Sequence, residues 1–275
     1  GWGDVTNPRW RLRERKGVYK KLRTVLPQLL RMMDDCAIPA TWATVGAMFD
    51  APRNRDFSHL PAQWRDMVAS VLKEAEATSF DGADLFEMVL AARQAHSIAC
   101  HSYSHVPFDA EDMTTGVVSE DLAHFAAALS RHGRVADKLV FPENREAHYD
   151  ALKAAGYQLA RVSPLRAAGG RLAYLASTLV VPPPLAFDVR HESGILRHHG
   201  SMLFADHAQA WRLPLLQRRY KLGMRSLLRG DGGILHLWAH PFNFAESDGL
   251  LALMERTLAE LARARDAGHL EISAM

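Results

Sequence analysis

The chain predicts an α/β fold built on a mostly parallel sheet, and three observations carry that prediction. Short apolar runs at residues 38–48, 97–100, 139–141, 159–162 and 233–240 have the length of buried strands. Stretches with helical spacing lie between them, and alternating β and α units place neighbouring strands parallel. No linker, repeat or low-complexity tract interrupts the 275 residues, so residues 1–275 read as a single domain.

Taken in order, residues 1–17 are polar and basic, contain Pro8 and read as a loop. Val18, Leu22, Val25, Leu26, Leu29, Leu30 and Met33 recur on one helical face, and Asp34-Asp35 closes that helix as a solvated end. Residues 38–48 form the first strand, entered at Pro39 and left at Gly46. Residues 64–77 and 83–94 read as amphipathic helices, the second with Leu85, Met88, Val89 and Ala92 inward. After the strand at 96–100, residues 106–116 read as a polar loop. Ser119 then caps a helix that buries Leu122, Phe125, Ala126 and Leu129 and ends at Gly133. Leu139 to Phe141 is a strand, Tyr149 to Ala155 a helix and Leu159 to Val162 a strand. Residues 163–177 read as loop. Pro182, Pro183 and Pro184 forbid ladder pairing, so residues 182–197 read as a rim segment carrying surface histidines His191, His198 and His199. A basic helix at 212–229, a last strand at 233–240 and a closing helix at 250–268, with Leu251, Met254, Leu258 and Leu261 on one face, complete the chain.

Composition narrows the function classes. The chain is 48% hydrophobic and 23% charged, as an ordinary globular protein is. A net charge of +2 gives no general affinity for nucleic acid, and the eight basic residues between Arg9 and Arg23 read as a solvated helix and its lead-in. No stretch reaches about 18 consecutive apolar residues, so no membrane span is in view. Cys36 and Cys100 sit beside apolar runs and give neither a disulfide framework nor a zinc–cysteine pattern. That usage suits a reducing compartment, and the expected location is the cytoplasm; a leader or anchor upstream of Gly1 would lie outside this sequence.

The chemistry-bearing stretch is His96-Ser97-Ile98-Ala99-Cys100-His101-Ser102-Tyr103-Ser104-His105. If the chain turns helical after Cys100, His101 and His105 share a face and can converge on one metal ion. A second histidine-rich strand, Leu235-His236-Leu237-Trp238-Ala239-His240-Pro241, puts His236, Trp238 and His240 on one face before Pro241 stops the ladder.

These two stretches resemble those of the polysaccharide deacetylases, the NodB-homology or carbohydrate esterase 4 group, whose second motif is a strand running into H-[ST]-x-x-H. Ala40-Thr41-Trp42-Ala43-Thr44-Val45-Gly46 is similar to the family's A-T-[FW] strand, and Leu237-Trp238-Ala239-His240-Pro241 to its last motif. The resemblance spans nearly the whole chain and implies a distorted (β/α)7 barrel. It implies His101 and His105 as ligands of a divalent metal, zinc first, and His240 as the general acid. Such an ion polarises an acetyl carbonyl and lowers the pKa of bound water to about 7. Trp238 would line the acetyl or sugar pocket or be a plain core tryptophan. Asn144 and Asn243 would contact substrate or shape turns, and His236 would orient a neighbour or fill the core.

The chain departs from the family in two places. The family's aspartate motif, which supplies the catalytic base and an aspartate ligand, would precede Trp2-Gly3; Asp4 stands on the other side of that pair. Where the family branch has F-P-R-N-Q, this chain has Phe141-Pro142-Glu143-Asn144-Arg145, so Arg145 either takes over the arginine's part or the site is rewired. The expected function is a metal-dependent hydrolase removing N- or O-linked acetyl groups from a polysaccharide or its sugar precursor. A non-catalytic carbohydrate-binding or assembly module and an amidase acting on small cyclic amides stand as alternatives on the same barrel.

Overall fold

A computed structural model describes residues 2–162, 182–186, 188–229 and 233–275. The loop expected at 163–177 and most of the apolar run that follows it lie outside the described residues.

Eight strands are described: β1 (Thr41–Thr44), β2 (Ser97–Cys100), β3 (Lys138–Val140), β4 (Leu159–Val162), β5 (Asp188–Arg190), β6 (Leu196–His199), β7 (Met202–Leu203) and β8 (Leu237–Trp238). The first six make one sheet in the order β1-β2-β3-β4-β6-β5, parallel except for β5, which runs antiparallel to β6. β7 and β8 pair parallel in a separate two-stranded sheet. The α/β class and the mostly parallel sheet therefore agree with the sequence reading.

The helices are α1 (Arg9–Arg15), α2 (Val18–Asp35), α3 (Gly46–Phe49), α4 (Ala62–Glu74), α5 (Ala77–Phe80), α6 (Ala83–Leu90), α7 (Thr115–Ser130), α8 (Tyr149–Ala154), α9 (Leu213–Arg229), α10 (Pro241–Glu246) and α11 (Asp248–Asp266). None among the described residues is long and apolar enough to cross a membrane.

Two apolar bodies fill the interior. The larger packs Trp2, Trp10, Phe49, Phe80, Phe86, Phe108, Phe125 and Phe141 around β1–β4. The smaller joins Met202, Phe204, Tyr220, Phe244, Leu250 and Leu258. Helix α2 is the wall between them. Tyr19, Leu26 and Leu30 face the larger body, whereas Val18, Val25 and Leu29 face the smaller. A 3.6-residue period with apolar residues on two adjoining stripes produces that double-sided burial. Asp34 ends the helix usefully: its carboxylate accepts from the backbone N–H of Gln94 at 2.8 Å and fixes the entry to β2.

Several sequence expectations need correction. The strand expected over 38–48 is only β1, because Gly46 opens α3 instead of leaving a loop. Thr114, not Ser119, caps α7, its hydroxyl accepting from the Val117 N–H; Ala128 rather than Ala126 is buried. The expected polar loop at 106–116 buries Val106 and Phe108 completely. The rim segment carries the β5–β6 hairpin, and its His198 and His199 are buried rather than surface residues. The last strand is the short β8, outside the main sheet. It is short because Ser201 and Met202 N–H groups both turn to the His236 carbonyl, breaking the even ladder.

Candidate functional site

The site residues stand at the carboxyl ends of parallel strands, where open α/β sheets place their ligands. His101 follows β2, Asn144 follows β3, Arg161 is the next-to-last residue of β4 and His240 follows β8. β2 lies between β1 and β3, and the His101 N–H continues its ladder by donating to the Thr44 carbonyl at 2.9 Å.

From there the chain forms no helix. Residues 101–105 are an irregular loop in which Ser102 (φ 61°) and His105 (φ 62°) are left-handed. Such conformations are unfavourable outside glycine, so the surroundings must enforce them. They do so with backbone groups. The N–H of Gly46 donates to the Ser102 carbonyl and that of Ala47 to the Tyr103 carbonyl, both at 3.0 Å. The fully buried Asp121 carboxylate on α7 accepts from the N–H groups of Tyr103 at 2.8 Å and Ser104 at 3.2 Å. The Ser102 hydroxyl accepts from the His105 N–H at 2.7 Å. Gly46 supplies the space, since a Cβ there would stand 2.6 Å from the Tyr103 ring. His59 Nε2 closes the latch 3.1 Å from Asp121.

This loop turns His101 and His105 together. Their Nε2 atoms are 3.1 Å apart. His101 Nδ1 donates to the Val140 carbonyl at 2.6 Å, which leaves a lone pair on its Nε2. Burial pushes His101 down to about 4 and His105 well below its ordinary value, with His240 adding to both shifts. Two imidazoles on a tetrahedral metal with bonds of about 2.0–2.1 Å would hold their nitrogens roughly 3.3 Å apart. The pair therefore fits two corners of a metal shell. Among the described residues no third His, Cys, Asp or Glu joins them to make a three-ligand group.

His240 lies close enough to shift both histidines. It caps α10: its N–H donates to Asn243 Oδ1 at 3.2 Å, and the Asn243 N–H returns to its carbonyl at 2.9 Å. Asn243 is thus a buried cap, and of its two expected roles the turn-shaping one is observed. The His240 ring stacks on Phe242 (4.9 Å, 11°) and stands edge-on to Trp238 (5.6 Å, 80°). Burial, then Arg161, depress His240 to about 4, while Asp4 pulls the other way.

Asp4 and Arg13 are residues that the sequence reading set aside. Asp4 is buried and paired with Arg13, whose Nε also reaches Glu246 at 3.0 Å and whose guanidinium lies 3.8 Å from the Phe242 ring centre. The start of the chain is in this way tied to the His240 segment.

The remaining candidates separate. Arg145 turns outward to Asp109 at 2.6 Å and is 43% exposed, with Glu143 3.9 Å away; it does not take an inward role. Glu143 instead accepts from the Thr6 hydroxyl at 2.6 Å. Asn144 does face the cluster, accepting from Arg161 Nη2 at 2.5 Å. Trp238 carries the Arg161 guanidinium over its ring at 4.2 Å. His236 fills neither a ligand place nor a plain core position: its Nδ1 is 2.6 Å from His198 Nε2, and His198 Nδ1 is 2.7 Å from Asp188. Burial and His198 push His236 to about 3.

Sequence reasoning missed Asp121, His59 and Arg161. Asp121 left a signal, being a charged residue in the inward stripe Val118, Leu122, Phe125. Two surface clefts, of about 360 Å³ beside Pro27 and Met88 and about 540 Å³ beside Arg265 and Ile272, lie away from the histidines. Compared with known proteins, no family model matches the chain and no curated protein matches it.

Proposed function

We propose that the chain is a metal-dependent hydrolase that removes N- or O-linked acetyl groups from a polysaccharide or its sugar precursor, on a distorted (β/α)7 barrel of the polysaccharide deacetylase kind. The observation that supports it most is the His101–His105 pair, its Nε2 atoms 3.1 Å apart and His101 oriented by the Val140 carbonyl, with His240 beside it. A bound divalent ion, zinc first, would supply Lewis-acid polarisation of the acetyl carbonyl and an activated water.

The protein's own part is positional and protonic. Asp121 and Gly46 fix the loop that aims the imidazoles. His240, held by its cap and by Phe242, delivers a proton to the leaving nitrogen or oxygen. Its depressed value keeps it neutral near pH 7, so it takes up the proton that the attacking water gives up and passes that proton to the leaving group. Asp4, which raises its affinity for that proton, acts in the useful direction.

The test is acetate release from acetylated amino sugars and sugar esters, abolished by chelator and restored by zinc. His101→Ala is expected to remove zinc binding in isothermal titration and to leave the circular dichroism spectrum unchanged. Zinc binding with no acetate released from any substrate would instead favour a carbohydrate-binding module. The absence of a third ligand among the described residues, and Glu143 bonded to Thr6 where the family has its arginine, support that second reading.

A further inference from the structure

Two runs of the chain are strongly basic, and the fold treats them differently. In the first, residues 9–23, acids from other elements answer the cations: Arg11 meets Glu74, Arg13 meets Asp4 and Glu246, Lys20 meets Glu76 and Lys21 meets Asp248. The second is α9 with its lead-in. Residues 207–230 hold six Arg and Lys and neither Asp nor Glu. Pro214, Arg218, Lys221, Arg225, Leu228 and Arg229 are exposed. The helical repeat sets them on one face, within an arc of about 100°. Among the described residues no carboxylate forms a salt bridge with Lys221, Arg225 or Arg229.

That face is held outward. Leu216, Tyr220 and Met224, on the opposite side, are buried in the smaller apolar body. Gly223 presses inward with them: a Cβ there would stand 2.8 Å from Pro183 and 2.9 Å from Leu235, so turning the helix about its axis would break a close fit. Glu260 and Arg263 of α11 act on Tyr220, on the buried side, with opposite signs. Lys221, Arg225 and Arg229 follow one another at a spacing of four residues, where like charges on a helix repel. A negative surface outside the protein would relieve that repulsion. The face is also partly apolar. Leu228 is 50% exposed, and so, at 60%, is Trp211 in the short turn Ala210–Arg212 that leads into α9; the Arg212 guanidinium lies 5.1 Å from the Trp211 ring centre. Cations beside an exposed indole and a leucine match a phospholipid interface, where the headgroups are negative and the layer beneath them is apolar. A soluble polyanion has no use for the leucine.

We propose that the outer face of α9, together with Trp211, docks the protein on an anionic phospholipid bilayer. The contact is peripheral, since no described helix is long and apolar enough to cross a membrane. It stands independently of the hydrolase reading, because none of these residues belongs to the histidine site.

The experiment floats the full chain with vesicles of phosphatidylcholine alone and of phosphatidylcholine with about 30% phosphatidylserine. Each cation beside a negative surface is worth on the order of fivefold in partition, so the wild type is expected to favour the anionic vesicles on the order of a hundredfold. Most of that preference should vanish between about 0.1 M and about 0.5 M salt. Lys221→Glu with Arg225→Glu should cut partition onto the anionic vesicles on the order of a hundredfold and leave the circular dichroism spectrum unchanged, because both side chains are exposed. Lys73→Glu with Lys153→Glu makes the same change in net charge on α4 and α8, which pack on the larger apolar body, and should leave the partition at the wild-type level. Trp211→Ser should weaken it several-fold at every salt concentration, which keeps the idea testable if the charge reversal folds poorly. Equal partition onto the two kinds of vesicle, an α9 or Trp211 variant that floats as the wild type does, or an equal loss in the α4 and α8 variant would overturn the proposal. So would binding of single-stranded RNA without binding of vesicles, which would make a soluble polyanion the partner.

Discussion

The loop after β2 and the segment after β8 both present histidines to one site, yet they are held by different means. His101 and His105 rest on backbone hydrogen bonds, with Gly46, Ala47 and a buried aspartate latching every turn of the loop. His240 rests on a two-residue strand, one cap and ring contacts with Phe242 and Trp238. A backbone latch fixes position to a fraction of an ångström because its donors and acceptors are directional. Ring stacking fixes a plane but leaves it free to slide. Under the proposed function the difference would suit the two tasks, since a metal tolerates little error in its ligands whereas a proton carrier must move between partners.

Breaking the latch should have the largest effect. Asp121→Ala leaves the amides of Tyr103 and Ser104 buried without acceptors and is expected to cost about 3 kcal/mol or more, seen as a lowered midpoint in urea unfolding, with zinc affinity lost alongside. An unchanged midpoint would mean that the loop holds itself.

Acid sharpens the contrast from the other side. His236 titrates near 3 when folded and near 6.5 when unfolded, so the unfolded chain binds a proton that the folded one refuses. Stability is then greatest above pH 6.5 and falls as pH drops toward 3, by on the order of 2 kcal/mol from this residue at pH 5. Buried His101 and His240 act with the same sign. Urea midpoints measured between pH 7 and pH 5 should show the slope, and His236→Asn should reduce it, leaving the share that His101 and His240 contribute.

The cap is a smaller matter. Asn243→Ala removes one acceptor from the His240 N–H and should lower stability by about 1 kcal/mol while depressing kcat more than KM, if His240 must stay aimed. Smallest of all, Arg145→Ala breaks an exposed pair with Asp109 and should shift stability by about 0.5 kcal/mol or less, with acetate release unaltered. A large loss of activity there would restore Arg145 to the role that its place in the sequence suggested.

Much of this architecture is legible in the sequence because it depends on periodicity. The stripe from Val18 to Met33 and the apolar runs at β2, β3 and β4 each carry a local signal, and the structure follows it. The histidine spacing is legible as well, although the expected reason differs: four residues bring His101 and His105 together through a latched loop, not a helical turn. What could not be read is whatever one segment does for another. Asp121 serves amides at residues 103 and 104 from a separate helix, Arg161 finds Asn144 across a strand, and Asp4 reaches His240 from the far end of the chain. Such partners leave no pattern in the linear order, apart from a polar residue standing where an apolar one was due.

Helix α2 lends one face to each of the two apolar bodies, and that arrangement bears on how the molecule comes apart. Each body can loosen while the other keeps its share of the helix, so the first opening under stress should separate the β7–β8 side from the β1–β4 side. His240 would leave with one half and the paired imidazoles with the other. The two groups of histidines would then part before the fold is lost, and would meet again on cooling without the chain having to refold from the beginning.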